Sequence, residues 1–306
     1  MLVANVFQKA LAMTFITSPS DQIYEAACTP LERTISESSS VASKTAAIHA
    51  LGTCTFYGGA SDHEILDNMA YLLTIIASDG HFINAPDEPG PVTAALEEWG
   101  FLATLIDDLS EDSEEAVETI AEQLNSTHPG VQIAAGENIA LLYEKSYKLL
   151  TDEDTLVDYP DTDIVSDPDE DTTLPKLARI YTAYRRTDTL LTTLAALAAK
   201  STHRLSKKDQ KSLRANFSDI LNSVEYPARG PRYRNAVSKE GKTYGSRMVV
   251  RIHQDGVMRI DKWWKLHRLQ ALRRVLQGGF LGHYERNEVV FESLPIMIVN
   301  ERKGGK

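Results

Sequence analysis

Cysteine and long hydrophobic runs are both scarce in this chain of 306 residues. The only cysteines are Cys28 and Cys54, and so sparse a pair favours reduced core thiols, as in cytosolic or nuclear proteins, over a disulfide framework. No segment approaches the roughly 18 to 20 consecutive apolar residues that a membrane span needs. The apolar start, Met1 to Phe15, has no basic flank and no clear cleavage site, so we expect a helix there rather than a signal peptide. The sequence therefore predicts no membrane partner.

Catalytic and metal-binding motifs are missing as well. The sequence contains no glycine-rich phosphate loop followed by Lys and Ser/Thr, no Gly-x-Ser-x-Gly nucleophile elbow and no His-Glu-x-x-His. His63 and Glu64 lack the second histidine of that last motif, and two distant cysteines do not make a zinc site. We expect a protein without catalytic residues, without a metal or other cofactor, and without a small-molecule substrate.

Basic residues are rare in the first half of the chain and abundant in the second. Residues 1–173 contain 32 acidic and 5 basic residues, a net charge of −27, whereas residues 174–306 contain 11 acidic and 27 basic residues, a net charge of +16. The formal net charge of the whole chain, −11, conceals this difference. So unequal a distribution indicates two surfaces with different partners, and a basic surface is typical of binding to nucleic acid or anionic membranes.

Strand patterns are nearly absent from residues 1–150, where helical patterns are frequent. Apolar residues recur at helical spacing in three segments, 65–76, 92–109 and 116–124. A fourth segment, from Val131 to Leu142, is apolar nearly all round, as expected of a helix between neighbours. Helices of this length with short connections favour an all-α fold, an armadillo- or HEAT-like α-solenoid, and a globular helical bundle is the competing fold.

An acidic segment and two long helices are predicted next. Residues 151–173 are acidic and contain proline, which indicates a solvated linker. A calcium-binding loop is the alternative, but the glycine and the closing glutamate of an EF-hand loop are missing. Residues 174–225 are predicted to continue the array with long helices, one from about Pro175 to Lys200 and one from about Ser206 to Val224.

Residues 226–306 are predicted to form a small basic C-terminal module. Its first part has the composition of an extended arm that binds RNA, because guanidinium groups pair with phosphates and tyrosine rings stack on unpaired bases. An ordinary surface loop is the alternative. Two helices, from about Asp261 to Leu276 and from about Leu281 to Phe291, are predicted at its end. We expect Trp263 and Trp264 to be core residues rather than platforms for bases.

The same module contains the only hairpin pattern in the sequence. A three-residue loop, Gln254-Asp255-Gly256, would place its glycine in the left-handed conformation. That register pairs Ile252 with Met258 and Val250 with Ile260, which leaves one face apolar and the other cationic. The cationic face would carry Arg247, Arg251 and Arg259. The complete set of candidate RNA-binding residues in the module is Arg229, Arg232, Tyr233, Arg234, Lys239, Lys242, Tyr244, Arg247, Arg251, Arg259, Lys265 and Arg268.

Several stretches of the sequence resemble the interferon-related developmental regulator family. They are Val131–Tyr143, Phe217–Glu225, Met258–Trp263, Val275–Gly279 and His283–Glu288. The resemblance spans nearly the whole chain and is strongest in the C-terminal module. The chain looks like a fungal-type member that lacks the polar N-terminal arm of the family and the long basic C-terminal tail of its animal members. That difference places in doubt any blocking role that depends on such a tail.

The resemblance implies both a fold and a function. The implied fold is an armadillo-like helical domain followed by a compact C-terminal domain. The implied function is non-enzymatic occupation of translationally inactive ribosomes, in which the basic C-terminal half contacts rRNA and blocks the tRNA and mRNA sites. The alternative is a nuclear scaffold for transcriptional co-regulator proteins, bound along the solenoid. We therefore expect a cytoplasmic protein that can also be nuclear.

Overall fold

A computed structural model of the protein describes most of the chain. The described residues are 21–150, 164–165, 176–199, 207–233, 248–252, 256–295 and 297–299. Within them, α-helices pack against one another and are joined by two small antiparallel sheets. None of the described helices is both long and apolar enough to span a bilayer.

Eight helices in two layers form a solenoid. They are α1 (Asp21–Glu37), α2 (Val41–Tyr57), α3 (Asp62–Ala77), α4 (Pro89–Ala103), α5 (Ser113–Glu122), α6 (Pro129–Lys145), α7 (Thr187–Ala199) and α8 (Lys207–Glu225). Each odd-numbered helix packs on the even-numbered helix that follows it, and α2, α4, α6 and α8 stack successively into one layer. This repetition of helix pairs confirms the predicted armadillo- or HEAT-like α-solenoid.

Local sequence signals explain where several of these helices begin. Ser61 caps α3 in a capping box, since its hydroxyl accepts from the backbone N–H of Glu64 while the Glu64 carboxylate accepts from the backbone N–H of Ser61. Pro89 and Pro129 occupy the first turns of α4 and α6, where a missing N–H costs nothing. Helices α2, α4 and α6 are buried on most sides, because each lies between two others.

Gly100 lies where α4 meets α6 and α9 (Trp263–Leu276), the first helix of the C-terminal module. A Cβ atom at this position would overlap Asn138 Oδ1 and the ring of His267. Both neighbours are buried, and the Asn138 side chain is held by a 2.8 Å hydrogen bond to the carbonyl of Leu96. The three helices therefore approach more closely than any larger residue would allow.

We expect Gly100→Ala to lower the free energy of unfolding by about 1–3 kcal/mol, because overpacking at this contact outweighs the better helix propensity of alanine. Urea unfolding monitored by circular dichroism measures the effect. Gly282→Ala is the matched control, since an added Cβ there meets nothing within 4 Å. The control should raise stability by about 0.5–1 kcal/mol, and two changes of the same sign would contradict the assignment.

The C-terminal module packs directly on the solenoid. It consists of α9, α10 (Phe280–Arg286) and α11 (Glu288–Ser293), with a sheet of β4 (Met248–Arg251), β5 (Gly256–Ile260) and β6 (Met297–Val299). Helix α9 lies against α4 and α6, and a single hydrophobic core runs from Tyr24 to Leu294. The module and the solenoid therefore share one interior.

Three predicted elements differ from the structure. Residues 176–186 are not helical, because β3 (Leu177–Arg179) pairs there with β1 (Tyr147–Leu149) and β2 (Ile164–Val165). Strand β2 also lies within residues 151–173, which were predicted to be an acidic linker, and the other residues of that segment lie outside the described residues. The predicted last helix is divided at Asn287, whose side chain accepts from the backbone N–H of Val290 and begins α11.

The predicted hairpin exists, but its register is wrong by two residues. Met248 pairs with Ile260 and Val250 pairs with Met258, so Gly256 belongs to β5 instead of the loop. The third strand, β6, explains the shift because it pairs with β5 from Gly256 onward and fixes that residue in the sheet. A shift of two residues keeps every side chain on its predicted face.

Candidate nucleic-acid interface

The outward face of the C-terminal sheet carries two of the predicted arginines. Val250 and Met258 point into the core, with exposed fractions of 8% and 0%. Their neighbours along each strand therefore point outward, and both Arg251 and Arg259 are exposed. The register sets Val249 opposite Arg259. This alternation of cationic and aliphatic side chains defines the sheet face, an open surface that can contact phosphates.

Electrostatic and apolar contacts are both available on the sheet face. Arg251 and Arg259 are diagonal neighbours across β4 and β5, with backbones about 7–8 Å apart. Val249 lies on the same face, directly opposite Arg259 and two residues before Arg251, and is 51% exposed. Two guanidinium groups at that spacing can contact successive phosphates of one strand, while Val249 covers the sugar or base between them.

Arg232 is also exposed and lies at the mouth of a cleft. Its backbone adopts the left-handed region, with φ of 56°, which is uncommon for a residue other than glycine. The cleft has a volume of about 290 Å³, and Arg232, Arg273, Gln270 and Glu137 are among the residues that line it. Burial raises the pKa of Glu137 to about 7, although a hydrogen bond from Gln270 opposes the shift. The cleft thus combines two cations with a carboxyl group that is readily protonated.

Arg229 and Tyr233, predicted to lie on an RNA-binding arm, are interior residues. Their exposed fractions are 7% and 3%. The Arg229 guanidinium lies 4.4 Å from the ring centre of Tyr226 and 5.0 Å from that of Tyr233, a stacked cation–π arrangement. The backbone carbonyl of Arg229 accepts a 2.6 Å hydrogen bond from Ser223. These contacts fix the 226–233 segment on α8 and correct the prediction of an extended arm for this part.

Arg268 and Lys265 also have partners within the protein. Arg268 donates to the hydroxyl and carbonyl oxygens of Thr104 at 2.9 and 3.0 Å, and to the carbonyl of Ser293 at 3.1 Å. Lys265 pairs with Asp261 at 2.6 Å. Arg268 therefore joins α9 to the solenoid and to α11, so its position is explained by packing instead of by an RNA ligand.

Five of the predicted site residues lie in a part of the chain that the structure does not describe. They are Arg234, Lys239, Lys242, Tyr244 and Arg247. Of the seven predicted residues that the structure describes, only Arg251 and Arg259 share one exposed face, while Arg232 is exposed at the cleft. In the same described part of the chain, no group of three or more His, Cys, Asp or Glu side chains could hold a metal ion.

A buried ion pair that the sequence analysis did not predict fastens α9 to the solenoid. The Glu98 side chain on α4 is 1% exposed. Its Oε1 atom accepts from the Arg274 guanidinium at 2.6 Å and lies 2.7 Å from Nδ1 of His49. Burial alone would raise the pKa of Glu98, but Arg274 and His49 outweigh it and hold that pKa below its ordinary value. We call Glu98, Arg274 and His49 the α9 clasp.

Two further groups support the position of α9. Glu144 at the end of α6 accepts from the backbone N–H groups of Trp263 and Trp264 at 2.8 and 3.2 Å, and so caps the first turn of α9. Trp263 is 2% exposed and donates its indole N–H to Ser223. The prediction that Trp263 is a core residue is confirmed.

One signal in the sequence could have indicated the clasp. Glu98 lies in α4 between Leu96 and Trp99, where most neighbouring residues are apolar and buried. A carboxylate in such a helix is rarely tolerated without a partner, and the dense arginines of α9 could supply one. The arginine that pairs with Glu98 is determined by the packing of α9 on α4, which brings together residues 176 positions apart in the sequence. No local sequence pattern predicts that pairing.

Two comparisons with known proteins identify relatives of this chain. The sequence profile of the interferon-related developmental regulator (IFRD) family matches residues 8–225. An uncharacterized protein of Schizosaccharomyces pombe is 30% identical over 230 residues, which cover 75% of this chain and 46% of that protein. The chain therefore spans about half the length of this curated relative.

The profile match covers the solenoid and ends with α8. It does not extend into the C-terminal module, where the resemblance was expected to be strongest. The matched range is nevertheless well over half of the chain, and its helices are those that form the two-layered solenoid. The protein is thus a member of the interferon-related developmental regulator family.

Proposed function

We propose that this protein is a non-enzymatic, cytoplasmic ribosome-binding factor that occupies translationally inactive ribosomes. Its basic C-terminal half would contact rRNA in the space that tRNA or mRNA needs, so that binding and translation exclude each other. The observation that carries this proposal is the sheet face, where Arg251 and Arg259 are exposed and supported from below by the core residues Val250 and Met258. Membership of the family adds support.

The physical basis of binding would be phosphate contact. Each arginine that neutralises a phosphate releases condensed counterions, so affinity falls as salt rises. A rigid sheet face loses little conformational entropy on binding, because its backbone is already fixed by three paired strands. Binding through this surface should therefore be tighter, at a given salt concentration, than binding by the same number of isolated surface lysines.

The first test is co-sedimentation of the purified chain with vacant ribosomes and with translating polysomes across a salt series. We expect retention on vacant ribosomes at physiological salt and loss from polysomes, because tRNA and mRNA fill the site there. Equal retention on both, or binding to any RNA that disappears as salt rises, would contradict the proposal.

We expect the double variant Arg251→Glu/Arg259→Glu to bind vacant ribosomes at least about tenfold more weakly. The slope of affinity against salt should also fall by roughly 1 for each phosphate that the variant no longer neutralises. The matched control is Lys176→Glu/Lys211→Glu, which changes the net charge equally at two exposed sites outside the C-terminal sheet. If both variants bind equally weakly, general charge and not the sheet face governs binding.

A second candidate function is that of a scaffold for nuclear co-regulator proteins. It is favoured by an open apolar groove between α3 and α5 of the solenoid. Separate halves of the chain would not discriminate the two functions cleanly, since α9 shares its core with α4 and α6. Point variants on the two surfaces are the better test.

A further inference from the structure

Helix α3 carries two parallel apolar stripes, and only one of them is buried in the hydrophobic core of the protein. The stripe that faces the core is buried and consists of Ile65, Met69, Leu72 and Ile76. The second stripe, at helical spacing beside it, consists of Leu66, Ala70, Leu73 and Ala77. Leu66 is 38% exposed and Ala70 and Ala77 are also exposed. A surface helix normally shows polar residues beyond its core-facing stripe, so this second stripe calls for an explanation.

The second stripe forms one wall of a groove. The opposite wall is the start of α5, with Glu115, Ala116 and Thr119, and Trp99 and Met69 form part of the floor. The groove has a volume of about 340 Å³. From Leu66 to Ala77 it follows α3 for about 16 Å, at a rise of 1.5 Å per residue. That length corresponds to about three turns of an added helix.

The shape of the wall suits the side chains of a helix. The small residues Ala70 and Ala77 alternate with Leu66 and Leu73 along α3, which leaves depressions between larger side chains. Leucine-sized side chains spaced by three and four residues fit such depressions, as in ridges-into-grooves packing. Helix-in-groove recognition uses this geometry, with apolar anchors on one face of the bound helix.

The charge around the groove specifies the sign of the partner. Asp112 and Glu115 are exposed on its rim, and its lining residues include no basic side chain. Helix α5 already holds a basic segment of this chain on another side. The backbone N–H of Arg185 donates to Glu114 at 3.0 Å, and the Arg186 guanidinium pairs with Glu118. The surface around α5 is therefore complementary to lysine and arginine.

We propose that the groove between α3 and α5 docks one amphipathic helix of a partner protein, with leucine-sized anchors on one face and lysine or arginine at its margins. The site deepens the second candidate function and is independent of ribosome binding. On the other layer, α9 covers part of α4 and α6, so the chain's own C-terminal module occupies a surface that solenoids can use for partners. None of the described residues covers the groove, so the α3–α5 side is open to a partner.

The test uses three synthetic peptides of about four helical turns and the whole chain. The first carries leucines at helical spacing and lysines elsewhere, the second replaces every lysine with glutamate, and the third scrambles the order of the first. Fluorescence anisotropy at physiological salt measures binding. We expect the first peptide to bind at least about tenfold more tightly than either of the others. Equal affinity of the first and third peptides, or no binding of the first, would overturn the proposal.

Two pairs of variants locate the binding. Ala70→Gln fills the groove with a neutral side chain, and Ala26→Gln makes the same change at an exposed position of α1. Glu115→Lys reverses a rim charge, and Glu111→Lys reverses one outside the lining. We expect Ala70→Gln and Glu115→Lys each to weaken the first peptide about tenfold, with no effect of either control.

The same variants separate this proposal from the first function. Ala70→Gln should leave ribosome co-sedimentation and thermal unfolding unchanged, so that failure of either proposal can be recognised by itself. A photo-reactive amino acid at position 70 identifies the occupant. Cross-linking to the added peptide supports the assignment. Cross-linking to residues 1–20 of the same chain, or unchanged peptide affinity of Ala70→Gln, overturns it.

Discussion

Replacing Arg274 with methionine lowers the free energy of unfolding by about 3–5 kcal/mol, because the Glu98 carboxylate then lies in the interior without its strongest partner. Arg274 reaches Glu98 at 2.6 Å and Glu97 at 3.5 Å. Methionine retains most of the aliphatic volume of the side chain, so the loss reports the charge and its hydrogen bonds. Urea unfolding of the whole chain at neutral pH measures the difference.

Arg273→Met is the matched control for this prediction. Arg273 is the adjacent residue of α9 but is exposed, and its guanidinium lies 5.8 Å from the ring centre of Phe280, so its replacement should change stability by no more than about 1 kcal/mol. The double variant Glu98→Gln/Arg274→Met should recover at least half of the loss, since it leaves no charge buried. If the double variant is no more stable than Arg274→Met alone, Glu98 is not the group that Arg274 neutralises.

The α9 clasp changes the meaning of the charge asymmetry. From the sequence, a half with net charge −27 and a half with net charge +16 indicate two surfaces with different external partners. In the fold, some of those opposite charges meet each other, because α9 places Arg274 against Glu98 and Glu97. Part of the basic charge therefore holds the C-terminal module on the acidic solenoid. Only the remainder, such as Arg251 and Arg259, is presented outward.

The solenoid itself was predictable because its information is local. In each helix of residues 62–145, apolar positions repeat with helical period and breakers separate the repeats. The segment 176–186 was mispredicted for the opposite reason. Ile180, Tyr181 and Tyr184 have a helical spacing, which favoured a helix. Leu177–Arg179 is instead the central strand of a sheet, and one of its partners, Tyr147–Leu149, lies about 30 residues earlier in the chain. Pairing over that separation leaves no periodic signal in so short a strand.

The candidate interface shows the same division between local and non-local information. Alternation along β4 and β5 correctly predicted that Arg251 and Arg259 face away from Val250 and Met258. Composition alone could not separate Arg251, which is exposed, from Arg229, which is buried between two tyrosine rings. A guanidinium suits a phosphate and an aromatic ring equally well, so burial had to decide, and burial depends on the whole fold.

His267 makes the stability of the protein depend on pH. It lies on α9 beside Asn138 and Gly100 and is 4% exposed. Burial lowers its pKa from 6.5 to about 4, although a hydrogen bond to the backbone of Glu137 acts in the opposite direction. The unfolded chain therefore takes up a proton near pH 6.5 that the folded protein refuses until about pH 4. The stability that His267 contributes is complete above pH 6.5 and is lost as pH falls toward 4, by about 3 kcal/mol.

The variant His267→Gln isolates this effect from the other groups around α9. Glu137 acts in the opposite sense. Because its pKa is raised to about 7, the folded protein binds a proton that the unfolded chain does not bind, and the protein becomes more stable as pH falls below 7. The pKa of Glu98 is lowered, so the stability that this group contributes to the protein is lost only at more acidic pH. Both carboxyl groups remain in the variant. We therefore expect the stability of the wild type, measured by urea unfolding, to fall more steeply between pH 6.5 and pH 4 than that of His267→Gln. Parallel curves would show that His267 takes up its proton in the folded protein, and that α9 does not exclude water from the ring.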